Sequence, residues 1–325
     1  MNKAPQATVV IATRNRWEDL RGALESCRRL STPVDVLVID DGSTDGTAEH
    51  VRTGFPEVQL VRHEESQGYI ACRNEGARLA RTPFIFSIDD DAAFATPNVV
   101  EQTLGEFAPP RVGAVAIPFA NINCGPQVHQ LAPSAEGCYV TDRYIGTAHA
   151  LRREIFLKLG GYRADYVHQG EEGDYCLRML AAGYVVRLGR GQLIHHFESP
   201  RRNMDRLEYW GCRNLLRTTW RNTPWPDLAW QAPGNVFNLL KHSFKVRRFR
   251  HRLRGTGAGL LDGVRRRGER RPVSRSAFRL FRRLGRRGPV LFSEIADQLP
   301  ALKEEVGVGL PMPVESALAV AAGDQ

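Results

Sequence analysis

Three acidic clusters mark the first half of this 325-residue chain, at residues 40–45 (DDGSTD), 89–91 (DDD) and 171–174 (EEGD). The first two directly follow apolar runs at 34–39 and 84–88, which is typical of buried β-strands. Because α/β sheets bind ligands at the carboxyl ends of their strands, we expect both clusters in one site. Adjacent aspartates stay ionised where a cation or strong donors lie among them. The pattern therefore indicates a metal-assisted enzyme acting on a phosphate-bearing substrate.

Apolar runs alternate with segments of helical apolar spacing along the first half of the chain. Strands are predicted at 8–12, 34–39, 58–61 and 84–88, and helices after Asn15, through 47–51 and over 69–81. This alternation predicts an α/β fold with a mostly parallel, Rossmann-like sheet flanked by helices. Further helices are predicted at 97–107, 151–159, 174–182 and 204–221, and strands at 112–119 and 184–188.

Several motifs, in their order and spacing, resemble those of the family 2 glycosyltransferases, which have the GT-A fold. They are 9–16 (VVIATRNR), 38–45 (VIDDGSTD), 67–76 (QGYIACRNEG), 89–91 in the place of the D-x-D motif, 146–148 (GTA), 160–162 (GGY) and 171–174 in the place of the Glu-Asp motif. The resemblance covers about residues 7–215. It implies an inverting enzyme that transfers a sugar from a nucleotide-diphosphate sugar.

The resemblance assigns a divalent cation, Mg²⁺ or Mn²⁺, to the second acidic cluster. Asp89 and Asp91 are the first candidates for holding it, and Asp90 stays a candidate because three adjacent aspartates leave the register open by one residue. His196, in the pair that ends a short strand-like run, is a further candidate contact. A cation held by aspartate leaves most of its coordination shell to phosphate oxygens and water, and stabilises the departing diphosphate.

The same resemblance implies a nucleotide pocket. Asp41 is expected to bind the base of a uracil- or thymine-type nucleotide, which favours a UDP- or dTDP-sugar, and Thr13 and Asn15 line the same pocket. Arg73 is expected either to contact the diphosphate or to position Asp89, and Asp89 itself is expected to reach the ribose or a water on the metal.

An inverting transfer needs a carboxylate that removes a proton from the acceptor hydroxyl. Glu172 stands where the family has its base, although the family commonly has Asp there, so Glu171 stays a second candidate. Asp174 is expected to hold the acceptor or to cap a helix. The implied acceptor is a glycan or lipid-linked molecule in cell-surface polysaccharide synthesis.

Positive charge is concentrated near the C-terminus. The net charge is +9, but residues 241–290 alone carry 18 Lys and Arg against two acidic residues. We therefore expect a GT-A domain at 1–222 and a basic helical extension at 223–325, with a frayed last fifteen residues. Ala277, Phe278, Leu280, Phe281 and Leu284 fall on one side of a helix whose other side is arginine. This helix is predicted to lie on an anionic membrane surface; the alternative is a helix packed on the body with a solvated basic face.

Other functional classes are less consistent with the sequence. No apolar run approaches the ~20 residues of a membrane span, and no signal-peptide pattern is seen, so we expect cytoplasmic residence, peripheral on the inner face of the cell membrane. Six scattered cysteines argue against a zinc site. A nucleotidyltransferase would carry glycine in the loop at 13–16, which has none. A polyanion-binding protein with a degenerate site is the other alternative, but nucleic acid is not expected because the tail aromatics do not interleave with its basic residues.

Overall fold

The computed structural model describes residues 4–198, 203–244, 246 and 249–302. The strands are β1 (Ala7–Thr13), β2 (Asp35–Asp40), β3 (Gln59–Arg62), β4 (Phe84–Ile88), β5 (Ala92–Phe94), β6 (Val112–Ala116), β7 (Phe119–Asn121), β8 (Val128–His129), β9 (Tyr139–Thr141), β10 (Ala148–Arg152), β11 (Val185–Leu188), β12 (Ile194–His196) and β13 (Val290–Leu291). The α-helices are α1 (Trp17–Arg28), α2 (Thr47–Gly54), α3 (Tyr69–Leu79), α4 (Val99–Glu106), α5 (Arg153–Lys158), α6 (Glu171–Ala181), α7 (Met204–Asn222), α8 (Asp227–Ser243), α9 (Phe249–Arg265) and α10 (Arg275–Arg287).

The larger sheet has the strand order β13-β9-β11-β6-β10-β4-β1-β2-β3. Its half formed by β4, β1, β2 and β3 is parallel, as the alternation of elements predicts. Beyond β4 the sheet is mixed, because β10 runs antiparallel between β4 and β6. The predicted α/β fold is confirmed, and the parallel arrangement is confined mainly to the part built from the first four strands.

A smaller sheet, in the order β5-β12-β7-β8, covers the end of β4. In it, β12 pairs with β5 so that His196 lies opposite Ala92, and with β7 so that His196 lies opposite Asn121. Since β5 begins directly after the second acidic cluster, this pairing brings His196 next to that cluster although about 100 residues separate them in sequence.

Two helices begin at different residues from those the sequence predicts. Helix α1 begins at Trp17 and not directly after Asn15, which has a left-handed φ of 54° and whose Oδ1 accepts a hydrogen bond of 2.7 Å from the Thr44 N–H. It therefore joins the loops after β1 and β2. Helix α6 begins at Glu171, three residues earlier than expected, so both glutamates lie in its first turn.

The expectation that the helix at 275–287 lies on a membrane through its apolar face is wrong. Its apolar residues Ala277, Phe278, Leu280, Phe281 and Leu284 are buried, and the larger ones join the main core that also holds α6. Strand β13 then pairs with β9 in the main sheet. Helix α10 therefore agrees with the alternative prediction: it is packed on the body of the protein and has arginines on its outer side. The frayed end predicted for the last fifteen residues lies outside the described residues.

Helices α7, α8 and α9 form a further helical layer. Gly255 and Gly259, which lie one turn apart on α9, allow it to approach α7 closely. A Cβ at Gly255 would collide with the Tyr209 carbonyl, and one at Gly259 would lie 2.9 Å from the Arg213 carbonyl oxygen. These two glycines therefore serve helix packing. Among the helices within the described ranges, none combines the length and apolarity required to cross a bilayer.

Candidate active site

The expected site residues gather where β1, β4 and β12 end. Asp89, Asp90 and Asp91 follow β4, Thr13 is the last residue of β1 and His196 is the last residue of β12. The parallel pairing of β1 with β4 brings Thr13 to the aspartates, as the carboxyl-edge argument predicts.

Asp89, Asp91 and His196 form a cluster whose ligand atoms all lie within 4.8 Å of one another. His196 Nε2 lies 3.2 Å from Asp91 Oδ1 and 4.0 Å from Asp89 Oδ2. On the other side of the ring, Nδ1 lies 2.6 Å from Asn121 Oδ1. This contact makes Nδ1 the donor to Asn121 and directs Nε2 at the aspartates. Two carboxylates and one oriented imidazole are a donor set that fits a divalent cation.

Asp90 does not belong to this cluster. Its Oδ2 accepts a 2.8 Å hydrogen bond from the Thr13 hydroxyl, and its Oδ1 lies 3.2 Å from Arg16 Nη1. Burial raises the pKa of Asp90 to about 7. The charge of Arg16 lowers this pKa, and repulsion from Asp91 adds to the rise. The geometry thus groups Asp89 and Asp91, and not Asp90, with His196.

Arg16 holds one end of the cluster, and sequence reasoning did not identify it as a site residue. Its Nη2 donates a 2.8 Å hydrogen bond to Asp91 Oδ2, on the opposite oxygen from the one that faces His196. Burial alone would raise the pKa of Asp91, but His196 and Arg16 outweigh it and hold this pKa at about 2. Asp91 is therefore an ionised carboxylate with a fixed orientation.

Arg73 connects the cluster to the glutamates of α6. Its Nη2 donates to Asp89 Oδ1 at 2.6 Å and to the Gly146 carbonyl at 3.2 Å. Its Nη1 lies 3.7 Å from Glu171 Oε1 and 3.9 Å from Glu172 Oε1. The contact with Asp89 is the one that the second of the two expected roles of Arg73, positioning Asp89, requires.

Glu171 and Glu172 differ in their access to the cleft. Glu171 is fully buried, and its Oε1 accepts a 2.8 Å hydrogen bond from the Tyr69 hydroxyl. Burial and the charge of Glu172 raise the pKa of Glu171 to about 8. The Glu172 side chain is 19% exposed, and burial also raises its pKa. Any side chain at Gly146 would collide with Glu172 Oε1, which explains the glycine there. Glu172 is thus the more accessible base candidate.

Asp174 lies outside this group and is fully buried. Its oxygens accept hydrogen bonds from Asn222 at 2.7 Å, Arg178 at 2.8 Å, Arg163 at 2.9 Å and the Tyr166 hydroxyl at 3.1 Å. Burial alone would raise its pKa, but Arg163 and Arg178 hold it well below the usual range. With every oxygen occupied inside the fold, Asp174 is a positioning residue that ties α6 to α7 and does not hold the acceptor.

Asp41 lies at the start of the loop after β2 and anchors residues 66–68. Its carboxylate accepts hydrogen bonds of 2.6 Å from the Ser66 hydroxyl and the Gln67 N–H and of 2.9 Å from the Gly68 N–H. Burial would raise its pKa, but these donors outweigh it and lower this pKa below its usual range. His63 Nδ1, at 3.4 Å, is its most distant partner.

Several functional contacts could not be found from sequence. Arg16 stands within a quoted motif, but its pairing with the second acidic cluster depends on the parallel alignment of β1 and β4. Asn121 reaches His196 only because β7 pairs with β12. Tyr69, which carries the hydrogen bond to Glu171, is separated from it by 102 residues. Local periodicity in a sequence does not indicate contacts between residues that are this far apart along the chain.

Comparison with known proteins agrees with this geometry. A family model described as glycosyl transferase family 2 matches residues 8–162. Among curated relatives, a pre-mycofactocin glycosyltransferase of Mycobacterium tuberculosis is 29% identical over 209 residues, covering 58% of this chain and 42% of that protein. The succinoglycan biosynthesis protein ExoU of Rhizobium meliloti is 28% identical over 207 residues, covering 58% of this chain and 59% of ExoU. The alignments thus span about half the length of these relatives.

Solved structures of low sequence identity share the fold. Residues 1–349 of S. aureus TarS superpose with a TM-score of 0.60 at 13% identity, covering 81% of this chain and 82% of that one. The mannosyltransferase PcManGT from Pyrobaculum calidifontis, solved with GDP-Man and Mn²⁺, gives a TM-score of 0.55 at 20% identity, covering 82% and 84%. The chain thus has a GT-A fold, and its residues 8–162 match the model of glycosyltransferase family 2.

Proposed function

We propose that this protein is an inverting glycosyltransferase that moves a sugar from a nucleotide-diphosphate sugar to a hydroxyl group of a glycan or lipid-linked acceptor. One observation carries the proposal: Asp89 of the Asp89–Asp91–His196 cluster and Glu172 are joined through the two terminal nitrogens of Arg73. Arg73 thereby lies between the group that would bind a cation for the diphosphate and the carboxylate that would act as base on the acceptor.

Asp89, Asp91 and His196 would hold the cation, with Mg²⁺ and Mn²⁺ as the candidates. A divalent cation there supplies charge neutralisation for the departing diphosphate. Arg16 keeps Asp91 ionised and oriented through its 2.8 Å hydrogen bond, and Asn121 keeps the free nitrogen of His196 directed at the same place. The fixed charges of these groups need no rearrangement as the glycosidic bond breaks.

Glu172 would remove the acceptor proton as the hydroxyl attacks the anomeric carbon from the side opposite the diphosphate. Its pKa, raised by burial, makes it a stronger base than an exposed glutamate. Arg73 offsets this rise, so that the carboxylate can still be ionised when the acceptor binds. Glu171, buried under Tyr69 and protonated below about pH 8, would influence Glu172 as a hydrogen-bond donor that lowers the pKa of Glu172, and would not touch the acceptor.

A UDP- or dTDP-sugar is the proposed donor class. The carboxylate of Asp41 has about four lone-pair sites, and three of them accept short hydrogen bonds from residues 66–68. The remaining contacts of the carboxylate are weaker, with His63 Nδ1 at 3.4 Å and with the Cys72 thiol, and we expect the N3–H of a uracil or thymine base to displace them. Thr13 and Asn15 would border the same pocket. A TarS structure in complex with UDP is among those sharing the fold.

Cell-surface polysaccharide synthesis is the proposed setting. Its support is the similarity to ExoU, a protein named for succinoglycan biosynthesis. Because the alignments cover about half of such relatives, the acceptor and the linkage are part of the proposal and are open to direct test.

Release of nucleoside diphosphate from a panel of UDP-, dTDP- and GDP-sugars tests the proposal. We expect release from one uracil- or thymine-type donor, its loss on chelation with EDTA, and recovery with Mn²⁺ or Mg²⁺. Glu172→Gln should stop transfer to an acceptor, whereas the matched control Glu154→Gln, on the exposed face of α5 and paired with Lys158, should keep full activity. Metal-independent release, or equal losses in both variants, would contradict the proposal.

A further inference from the structure

The outer face of α8 carries a row of exposed aromatic side chains. Trp230 is 82% exposed, Phe237 is 65% exposed and Phe244, directly after the helix, is 80% exposed. Their spacing of seven residues places them on one side of the helix, and Phe244 keeps helical dihedral angles of −73° and −21°. Large aromatic residues exposed in a row on one helix face indicate a surface that binds something.

Helix α9 continues this row. Phe249, Leu253, Leu260 and Val264 are exposed, and their spacings of four, seven and four residues keep them on one side of α9. The rings of Phe244 and Phe249 lie 5.3 Å apart, so the two rows meet where the helices join. We call these seven residues the α8–α9 apolar strip.

Packing among the residues that the structure describes does not explain the strip. Helix α9 turns a different side, with Gly255, Thr256 and Gly259, towards the layer formed with α7. Helix α8 buries Leu228 and Leu239. Each helix therefore already has a packed side, and the strip lies away from it.

The sequence around the strip is rich in basic residues. Between 227 and 265 the sequence has eight Lys and Arg residues and only two acidic residues. Asp227 is paired with Arg275 at 2.5 Å and with Arg279 at 3.2 Å, and Asp262 with Arg213 at 2.8 Å, so both acidic charges are compensated.

The basic face of α10 adjoins the same helix. Arg282 donates a hydrogen bond to Gln231, the neighbour of Trp230 in sequence. Beside it, a groove of about 600 Å³ is lined by Arg279, Arg282, Arg283 and Arg286 together with Asp227. A groove of this charge suits the phosphate of a lipid headgroup next to the inserted aromatic side chains.

We propose that the α8–α9 apolar strip and the arginines of α10 form a docking surface for an anionic lipid membrane, on which the protein lies without spanning it. Aromatic and aliphatic side chains bordered by Arg are the composition of interfacial helices. A second copy of the chain fits poorly, because pairing two such faces would bring arginine against arginine. Nucleic acid fits poorly because Leu253, Leu260 and Val264 offer no stacking surface. The proposal does not depend on the catalytic assignment.

Cosedimentation of the full chain with vesicles tests the surface, using phosphatidylcholine alone and phosphatidylcholine with about one-third phosphatidylglycerol. We expect binding to the anionic vesicles. The variant Trp230→Ser/Phe237→Ser/Phe244→Ser should lower the partition coefficient by about tenfold or more. The control Leu79→Ser/Leu302→Ser removes two exposed apolar side chains elsewhere and should bind like wild type.

A second pair of variants separates charge from insertion. Arg282→Gln/Arg286→Gln should weaken binding to anionic vesicles by about fivefold for each arginine and leave binding to neutral vesicles unchanged. Trp230→Phe should keep sedimentation but reduce the blue shift of tryptophan emission on vesicle addition. Wild-type sedimentation of the triple serine variant would overturn the proposal. The proposal would also be overturned if the triple serine variant bound vesicles like wild type and differed only in its oligomeric state on size exclusion, or only in its binding to a DNA duplex.

Discussion

Arg73 Nη2 lies 2.6 Å from Asp89 Oδ1, and this ion pair is the connection between the two halves of the candidate site. Arg73 comes from α3 and Asp89 from the end of β4, so two elements of the parallel half-sheet are joined at its carboxyl edge. The guanidinium is nearly buried, at 8% exposure, and fixes the direction of the carboxylate that faces the proposed cation. The same guanidinium lies 3.9 Å from Glu172, so the carboxylates of Asp89 and Glu172 share one positively charged side chain.

Replacing the proposed base tests the catalytic assignment. Glu172→Gln keeps the size and most of the contacts of the side chain but cannot accept a proton, so we expect transfer to fall about 10²- to 10⁴-fold. Nucleotide binding should be unchanged, because the side chain lies on the acceptor side of Arg73. Steady-state transfer and nucleotide titration measure the two effects. Near-normal turnover would show that another group is the base.

Removing the support of His196 tests the metal centre. Asn121→Leu takes away the oxygen at 2.6 Å from Nδ1 and leaves all three proposed ligands in place. Loss of such a hydrogen bond to a metal ligand typically lowers metal affinity by about 10- to 100-fold. We therefore expect more Mn²⁺ to be required for half-maximal activity. The exposed Asn238 provides the control, Asn238→Leu, which should leave the Mn²⁺ requirement unchanged.

The buried Glu171 predicts a pH dependence of stability. Burial raises its pKa from 4.5 to about 8 in the folded state, so the folded protein holds a proton that the unfolded chain has lost between these values. This contribution is complete below about pH 4.5 and is lost as the pH rises towards 8, by at most about 1.4 kcal/mol per pH unit.

Thermal unfolding between pH 5 and pH 8, about the range over which that proton is lost, measures the effect. Glu171→Gln stays neutral and can still accept the Tyr69 hydrogen bond, so it should flatten the decline and be more stable than wild type at the upper end. Glu154→Gln should follow the wild-type slope. Equal slopes for Glu171→Gln and wild type would contradict the assignment.

Asp174 should matter for stability. Asp174→Ala leaves Arg163 and Arg178 without their buried partner, and removal of one partner of a buried pair costs about 3–5 kcal/mol. Asp35→Ala, at the exposed start of β2, should change the free energy of unfolding by less than about 0.5 kcal/mol. Denaturant unfolding compares the two. A fully stable Asp174→Ala with raised KM for the acceptor would return Asp174 to the acceptor site.

The sequence predicted the site best where function follows strand order. Apolar runs followed by carboxylates placed Asp89 and Asp91 at the carboxyl edge, and the structure brings both together with His196. The sequence could not distinguish Asp90 from Asp89 and Asp91. That distinction depends on which of the three carboxylates accepts the hydrogen bond from the Thr13 hydroxyl on the neighbouring strand. Asp174 was assigned by motif, whereas its role is set by Asn222 and by arginines from other elements.

Amphipathic spacing showed the same limit in the C-terminal region. The pattern of α10 correctly gave a helix with an apolar and a basic face, but an apolar face is compatible with a membrane or with the protein core. Phe278 and Phe281 are buried in the core, and Trp230 and Phe237 are the exposed ones. Periodicity identifies a face; only tertiary packing decides what covers it.

Metal-dependent nucleotide binding tests the central claim most directly, by thermal unfolding with UDP, dTDP, GDP and CDP, each with and without Mn²⁺. We predict that UDP or dTDP stabilises the protein only when Mn²⁺ is present, by about 2.7 kcal/mol at 100 times the dissociation constant, and that Asp91→Asn abolishes this effect. Stabilisation by none of the four nucleotides in the folded protein, or equal stabilisation without metal, would contradict the account.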